Sequence, residues 1–131
     1  IDCIATDHAP HHADDKNVEF ALASSGISGF ETALAVCWTA LVVPGHMTPE
    51  QVLDKLTRAP AGVLGLDAGT LEVGKRADVT LIDPQAEWMV DPGKFRSRGK
   101  NTPFAGRTLT GAVRCTFLEG RVVYGDGPEC R

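Results

Sequence analysis

Residues 29–43 are apolar on nearly every side of the helix that their pattern predicts. Phe30, Leu34, Cys37 and Leu41 share one face, and Ala33, Val36, Trp38 and Val42 carry the apolar surface round most of the remainder. A helix with so little polar face is stable only when buried in a larger body. Its ends are marked. Ser28-Gly29-Phe30-Glu31 matches a capping box, in which Ser28 and Glu31 satisfy each other's free backbone donors. Pro44-Gly45 then breaks the helix.

The chain on either side of this helix has two textures, which predict a division into residues 1–66 and 67–131. Residues 1–6 are short, apolar and partly β-branched, as in a buried strand. Residues 13–28 are polar and without period, and predict a long loop of the kind that carries function. Thr48-Pro49-Glu50-Gln51 is a second capping box, with Pro49 at the first helical position. Val52, Leu53 and Leu56 give that helix one stripe, Pro60 stops it, and residues 61–64 form a further short helix closed by Gly65. From Gly69 the period changes to that of strands, at 79–82, 87–90 and 112–118. The first of these is ended by Asp83-Pro84. Glu119-Gly120 is a two-residue turn into a last strand at 121–124, and the residues from Gly125 onward predict a frayed tail.

Composition excludes several classes. Hydrophobic residues make up 43% of the chain and charged residues 23%, as in a globular domain. A net charge of −4 argues against a nucleic-acid partner, which calls for a basic stripe. The arginines and lysines between Lys94 and Arg107 predict a solvated face. No apolar run approaches the roughly 18 residues of a membrane span, and no leader opens the chain, so no membrane partner and a cytoplasmic location are expected. Cys3, Cys37, Cys115 and Cys130 include no C-x-x-C pair, so a zinc ribbon and a redox motif are excluded. Reduced, buried thiols are expected.

Thr6-Asp7-His8-Ala9-Pro10-His11-His12 is the stretch richest in chemistry. An acid stands directly after a predicted strand, and imidazoles follow in a turn held by Pro10. Strand ends are where parallel α/β proteins place catalytic groups, and a carboxylate there can bind a metal and move a proton. An Asp after a strand is equally the mark of a turn whose side chain bonds the backbone two residues on. The residues alone leave both open. His12 and His46 read as surface residues.

Ala5-Thr6-Asp7-His8-Ala9-Pro10-His11 resembles the signature of the dihydroorotases, of the long bacterial type within the amidohydrolase superfamily. Lys16-Asn17, the block from Ser25 to Leu34, and Pro60 to Leu66 are similar to further blocks of that family. Gly69-Thr70-Leu71 through Gly74 and Ala77 to Asp83 resemble the superfamily pattern for a chain entering its small β lobe. Gly99-Lys100-Asn101-Thr102-Pro103-Phe104 with Gly106 resembles the dihydroorotase ending. The likeness runs to about Tyr124.

The resemblance implies an α/β fold: the C-terminal part of a metal-dependent hydrolase (β/α)8 TIM barrel plus part of a small β-sandwich lobe. Residues 1–66 would supply the last strand, the active-site loop and the terminal helices, and residues 67–131 the lobe and tail. It implies interconversion of N-carbamoyl-L-aspartate and L-dihydroorotate in pyrimidine synthesis, at two zinc ions that share a hydroxide. Asp7 would bind one Zn2+ and carry the proton between attacking water and leaving nitrogen. His11 would contact the substrate carboxylate, and Ser25 and Gly26 would offer backbone contacts to the ring. Ser25 departs from the aromatic residue usual before the loop glycine. The His-x-His pair and the other metal ligands of the family do not occur in this sequence. A barrel needs about 250 residues, so this chain alone is expected neither to hold the two metals nor to catalyse.

Two other readings share the resemblance. One is a related cyclic amidase, an allantoinase or dihydropyrimidinase, against which His11 argues because a substrate carboxylate needs a polar partner. The other is an inactive dihydroorotase-like subunit that scaffolds aspartate carbamoyltransferase. A homodimer is a further possible assembly.

Overall fold

The computed structural model describes residues 1–125, 127 and 130. The first half is helical and irregular: α1 Ala13–Lys16, α2 Ala33–Cys37, α3 Pro49–Leu56 and α4 Arg58–Leu64. The second half holds an antiparallel sheet in the order β1-β2-β3, with β1 Val79–Met89, β2 Thr108–Leu118 and β3 Arg121–Tyr124. No helix among the described residues is long and apolar enough to cross a membrane.

The core lies where α2 meets the sheet. Ala35, Val90, Phe95 and Leu109 are buried together, with Val36, Trp88 and Phe104 packed against them. Trp88 belongs to β1 and ties the strands together by donating its Nε1–H to the Gly111 carbonyl at 3.0 Å. The helix that carries Ala35 continues as a π-turn from Trp38 to Val42. Within it Trp38 is buried, and Thr39 bonds across to the backbone of Thr110 on β2.

Several local expectations are corrected. The capping box at Ser28 does not form. The regular helix starts at Ala33, because Ser28 and Glu31 spend their side chains on the backbone of residues 97–99 instead. Part of the apolar surface of residues 29–43 stays uncovered in this chain: Phe30 is 68% and Val43 59% exposed. The box at Thr48 does form, with Thr48 and Gln51 each bonded to the other's backbone. Pro60 does not stop a helix. It sits in the first turn of α4, where its absent N–H is an orphan in any case.

Residues 1–6 do not form a strand. An extended segment becomes one only by laddering with a neighbour. Among the described residues this segment finds an N–H bond from Ile4 to the Lys55 carbonyl, and then one isolated parallel bridge from His8 to Ile27. The strands predicted at 79–82 and 87–90 are one strand. Asp83 Oδ1 accepts from Gln85 and Ala86 N–H, so Asp83-Pro84 makes a bulge within β1 rather than an end. The β2–β3 hairpin matches its expectation: Glu119 and Gly120 take φ of 52° and 77°.

The thiols divide. Cys3 and Cys37 are free, and burial pushes the Cys37 thiol up. Cys115 and Cys130 are joined in a disulfide, with Cα atoms 5.8 Å apart, which overturns the expectation of reduced thiols for that pair. The chain turns back after β3 and lays Cys130 beside β2, a proximity that linear spacing does not encode. Cys130 is therefore tethered and not frayed, while the rest of the predicted tail, residues 126, 128, 129 and 131, lies outside the described residues.

The chain exposes 9080 Å², against roughly 6,700 Å² for a compact monomer of this mass. Phe20, Leu22, Leu64, Leu71 and Val73 are among the large apolar side chains left in solvent.

Candidate active site

The acid of the sequence motif occupies an unusual backbone. Asp7 has φ of 45°, the left-handed region that residues with a Cβ avoid. Conformations of this kind persist only where neighbouring structure holds them, and they gather at functional sites. The Asp7 carboxylate is exposed and makes no hydrogen bond or ion pair among the described residues. The turn-forming role, in which the side chain bonds the backbone two residues on, is therefore not what Asp7 does.

Two loops grip the motif from either side. Gly26, at φ 120°, lies against Ala9 so closely that a Cβ on it would stand 2.4 Å from the Ala9 Cβ. Gly99 lies against Pro10, where a Cβ would stand 2.5 Å from the Pro10 carbonyl carbon. Only glycine fits at either place. Backbone bonds complete the grip: Ala9 N–H to the Ile27 carbonyl at 2.9 Å, and Ser28 N–H to the Asn101 carbonyl at 2.8 Å. Ser28 is wholly buried and its hydroxyl donates to the Gly99 carbonyl. Asn101 Nδ2 donates to the Gly26 carbonyl at 3.3 Å.

The expected site residues are distributed as follows. Asp7, His11 and Gly26 come together around the motif turn, with His11 half-buried and its N–H bonded to the Ala9 carbonyl at 3.0 Å. Ser25 is exposed beside Gly26, at the tip of the gripping loop. His12 and His46 are exposed, as expected, and His12 caps α1 by accepting from Asp14 N–H. Among the basic residues from Lys94 to Arg107, Arg96 and Arg107 are exposed and lie over the rings of Tyr124 and Phe104.

Three positions were missed or misread from sequence. Lys16, to which the sequence gives no role of its own, donates its Nζ to the Ser24 and Gly26 carbonyls and holds the loop shut. Glu31 was assigned to capping, yet its Oε1 accepts from Ser97 N–H at 2.8 Å. Burial pushes the Glu31 carboxyl up, but its hydrogen bonds from Ser97 outweigh this and leave it below the usual carboxylate value. His8 is the third. Its ring stacks on Phe30 at 3.7 Å, and its Nδ1 accepts from Gly29 and Phe30 N–H. The sequence blocks around Lys16 and Gly99 were the available signal for the grip. Nothing in linear spacing marks His8.

A metal needs more than the described residues offer. No group of three or more His, Cys, Asp or Glu among the described residues could hold an ion. Asp7, with its carboxylate unengaged, fits as a single ligand, and the described residues bring no second one to it.

The fold, mixed helix and sheet with an acid held at a glycine-gripped turn, has a known family. Residues 1–123 match the model of the amidohydrolase family, and the chain belongs to that family. Its relatives include the dihydroorotase of Acetivibrio thermocellus, 54% identical over 123 residues, which are 94% of this chain and 29% of that protein. The dihydroorotase of Pelotomaculum thermopropionicum is 52% identical over 126 residues, 96% of this chain and 30% of the relative. Among solved structures, the L-hydantoinase (dihydropyrimidinase) from Arthrobacter aurescens superposes with a TM-score of 0.89 at 34% identity, over 97% of this chain and 29% of that one. The chain thus spans about 30% of the length of the curated relatives it matches.

Proposed function

We propose that this chain is the C-terminal part of a zinc-dependent dihydroorotase, which interconverts N-carbamoyl-L-aspartate and L-dihydroorotate. The observation that carries the proposal is the strained, unengaged Asp7, held between two glycine loops in a chain about half identical to dihydroorotases. Residues 1–66 belong, in this reading, to the end of a (β/α)8 barrel, and residues 67–131 to a small β lobe. The protein acts in the cytoplasm on a small-molecule substrate.

Zinc, when bound, lowers the pKa of water and polarises the amide carbonyl. Asp7 is the one ligand the described residues supply, and in this reading the others come from the rest of a longer protein. The residues present here do the remaining work. In ring opening the Asp7 carboxylate takes a proton from the attacking water and hands it to the leaving ring nitrogen. His11 meets the substrate carboxylate, and the backbone at Ser25 and Gly26 meets the ring. Lys16 and Asn101 hold that backbone in place through the Gly26 carbonyl.

A second reading, a cyclic amidase for hydantoins or dihydropyrimidines, draws on the hydantoinase likeness at 34% identity. The stronger identity to dihydroorotases favours the first. The test is hydrolysis of L-dihydroorotate, followed by ultraviolet absorbance, with zinc supplied, in the complete reading frame that contains this segment. Asp7→Asn should lower turnover by about 10² to 10⁴, the usual worth of a general acid–base group. Turnover of hydantoin alone would favour the second reading. A folded wild-type protein inactive on both would point to a scaffold for aspartate carbamoyltransferase.

A further inference from the structure

His8 is the residue whose side chain is most tightly placed around the motif, and the proton path above gives it no task. Its imidazole lies flat on the Phe30 ring, with centroids 3.7 Å apart and planes 4° from parallel. Its Nδ1 receives two backbone donors, Gly29 N–H at 3.0 Å and Phe30 N–H at 3.2 Å. Those amides lie in the turn that leads into α2, ahead of its first residue Ala33, and the imidazole is the acceptor they find. An imidazole nitrogen that accepts two N–H groups carries no proton, so the hydrogen of the neutral ring sits on Nε2.

The placement of the bond matters more than its presence. His8 directly follows Asp7, and Thr6 directly precedes it. The Thr6 carbonyl lies against Gly29, where a Cβ would stand 3.3 Å from its oxygen. The residues on both sides of Asp7 are thus docked on the same short stretch, Gly29 and Phe30. The backbone of Asp7 bridges these two anchors and takes its left-handed φ of 45° between them. His8 also forms the parallel bridge with Ile27, which links the same anchor to the Ser25-Gly26 loop.

We propose that His8 is a positioning residue. By accepting the Gly29 and Phe30 amides at Nδ1, it holds the Asp7 peptide in its strained conformation and keeps the carboxylate in register with the substrate loop. The kinetic part of this inference rests on the dihydroorotase reading. The structural part does not.

Two substitutions separate the acceptor from the ring. His8→Phe keeps a flat ring for stacking on Phe30 but leaves two amides without an acceptor. His8→Asn loses the stack but places Oδ1 where Nδ1 stood. In the full-length protein, His8→Phe should lower kcat by about 10²-fold, as misplacement of a reacting group by an ångström does, with KM for dihydroorotate little changed. His8→Asn should recover most of that loss. A merely structural histidine would show neither the split nor the rescue. Wild-type kcat in His8→Phe, or equal damage in both variants, overturns the proposal.

A second measurement needs neither activity nor a stable variant. Histidine-selective 15N labelling of the wild-type protein should report His8 as the Nε2–H tautomer, with Nδ1 in the acceptor range. An Nδ1–H tautomer would overturn the proposal even in an active enzyme. A wild type that does not turn over dihydroorotate while His8 shows the Nε2–H tautomer would sink the functional reading and leave the lock standing.

Discussion

At the scale of single residues, the tightest constraints fall on the backbone that faces Asp7, not on Asp7 itself. Ser28 is fully buried and its hydroxyl is spent on the Gly99 carbonyl, the peptide packed against Pro10. Ser28→Ala would leave that carbonyl short of a donor where the hydroxyl had excluded water. The expected cost is about 1–3 kcal/mol of stability, measurable by chemical denaturation. Loss of substrate affinity should accompany it if the 99–101 loop retracts from the motif. The sequence identified Ser28 and Glu31 as a pair and assigned them to each other. Ser28 and Glu31 instead bond residues 71 and 66 positions away. A capping box is a local pattern, and nothing local reports that a distant loop offers a better partner.

At the scale of elements, one hydroxyl joins helix to sheet. Thr39 Oγ1, in the π-turn after α2, accepts from Thr110 N–H at 2.8 Å and lies 3.4 Å from the Thr110 carbonyl. The π-turn lets the helix end lie against β2 with Trp38 buried beneath it. Thr39→Val keeps the shape but orphans the Thr110 amide. The protein should lose about 1–2 kcal/mol, and Thr110 should exchange its amide hydrogen faster while amides in α3 do not change. Equal acceleration in α3 would show that the bond does not act locally. The hairpin around Glu119-Gly120 and the start of α3 at Thr48 were legible in the sequence because their signals lie within a few residues. The bulge at Asp83 was not: the same Asp-Pro pair ends one strand and kinks another, and only pairing with β2 selects between them.

At the scale of the molecule, charge links the strands of the sheet. Asp83 on β1 is held below its ordinary value of 3.8, first by the hydrogen bond from Arg114 on β2 and then by the Gln85 N–H. Asp78 is lowered chiefly by the Glu119 N–H at the hairpin turn. A depressed carboxyl stabilises the fold at pH above its unfolded value, and that contribution is lost as pH falls through the lower folded value. The melting temperature should therefore fall on acidification below the ordinary carboxylate range, and Asp83→Asn should shallow that fall. An unchanged acid slope in the variant would remove Asp83 from the account.

Sequence by itself marked the residue types of the motif and the local turns. The acid after an apolar run, the Glu119-Gly120 turn and the cap at Thr48 read directly, because each depends on residue type or close spacing. Tertiary structure decided which of these groups meet. It set the Asp7 backbone in the left-handed region, gave His8 two amides to hold, turned Lys16 inward and joined Cys115 to Cys130. It also left residues 1–6 without a ladder. The physical reason is common to all of these: a hydrogen bond, a disulfide or a strand needs its partner in space, and linear order does not say which distant residue will arrive there.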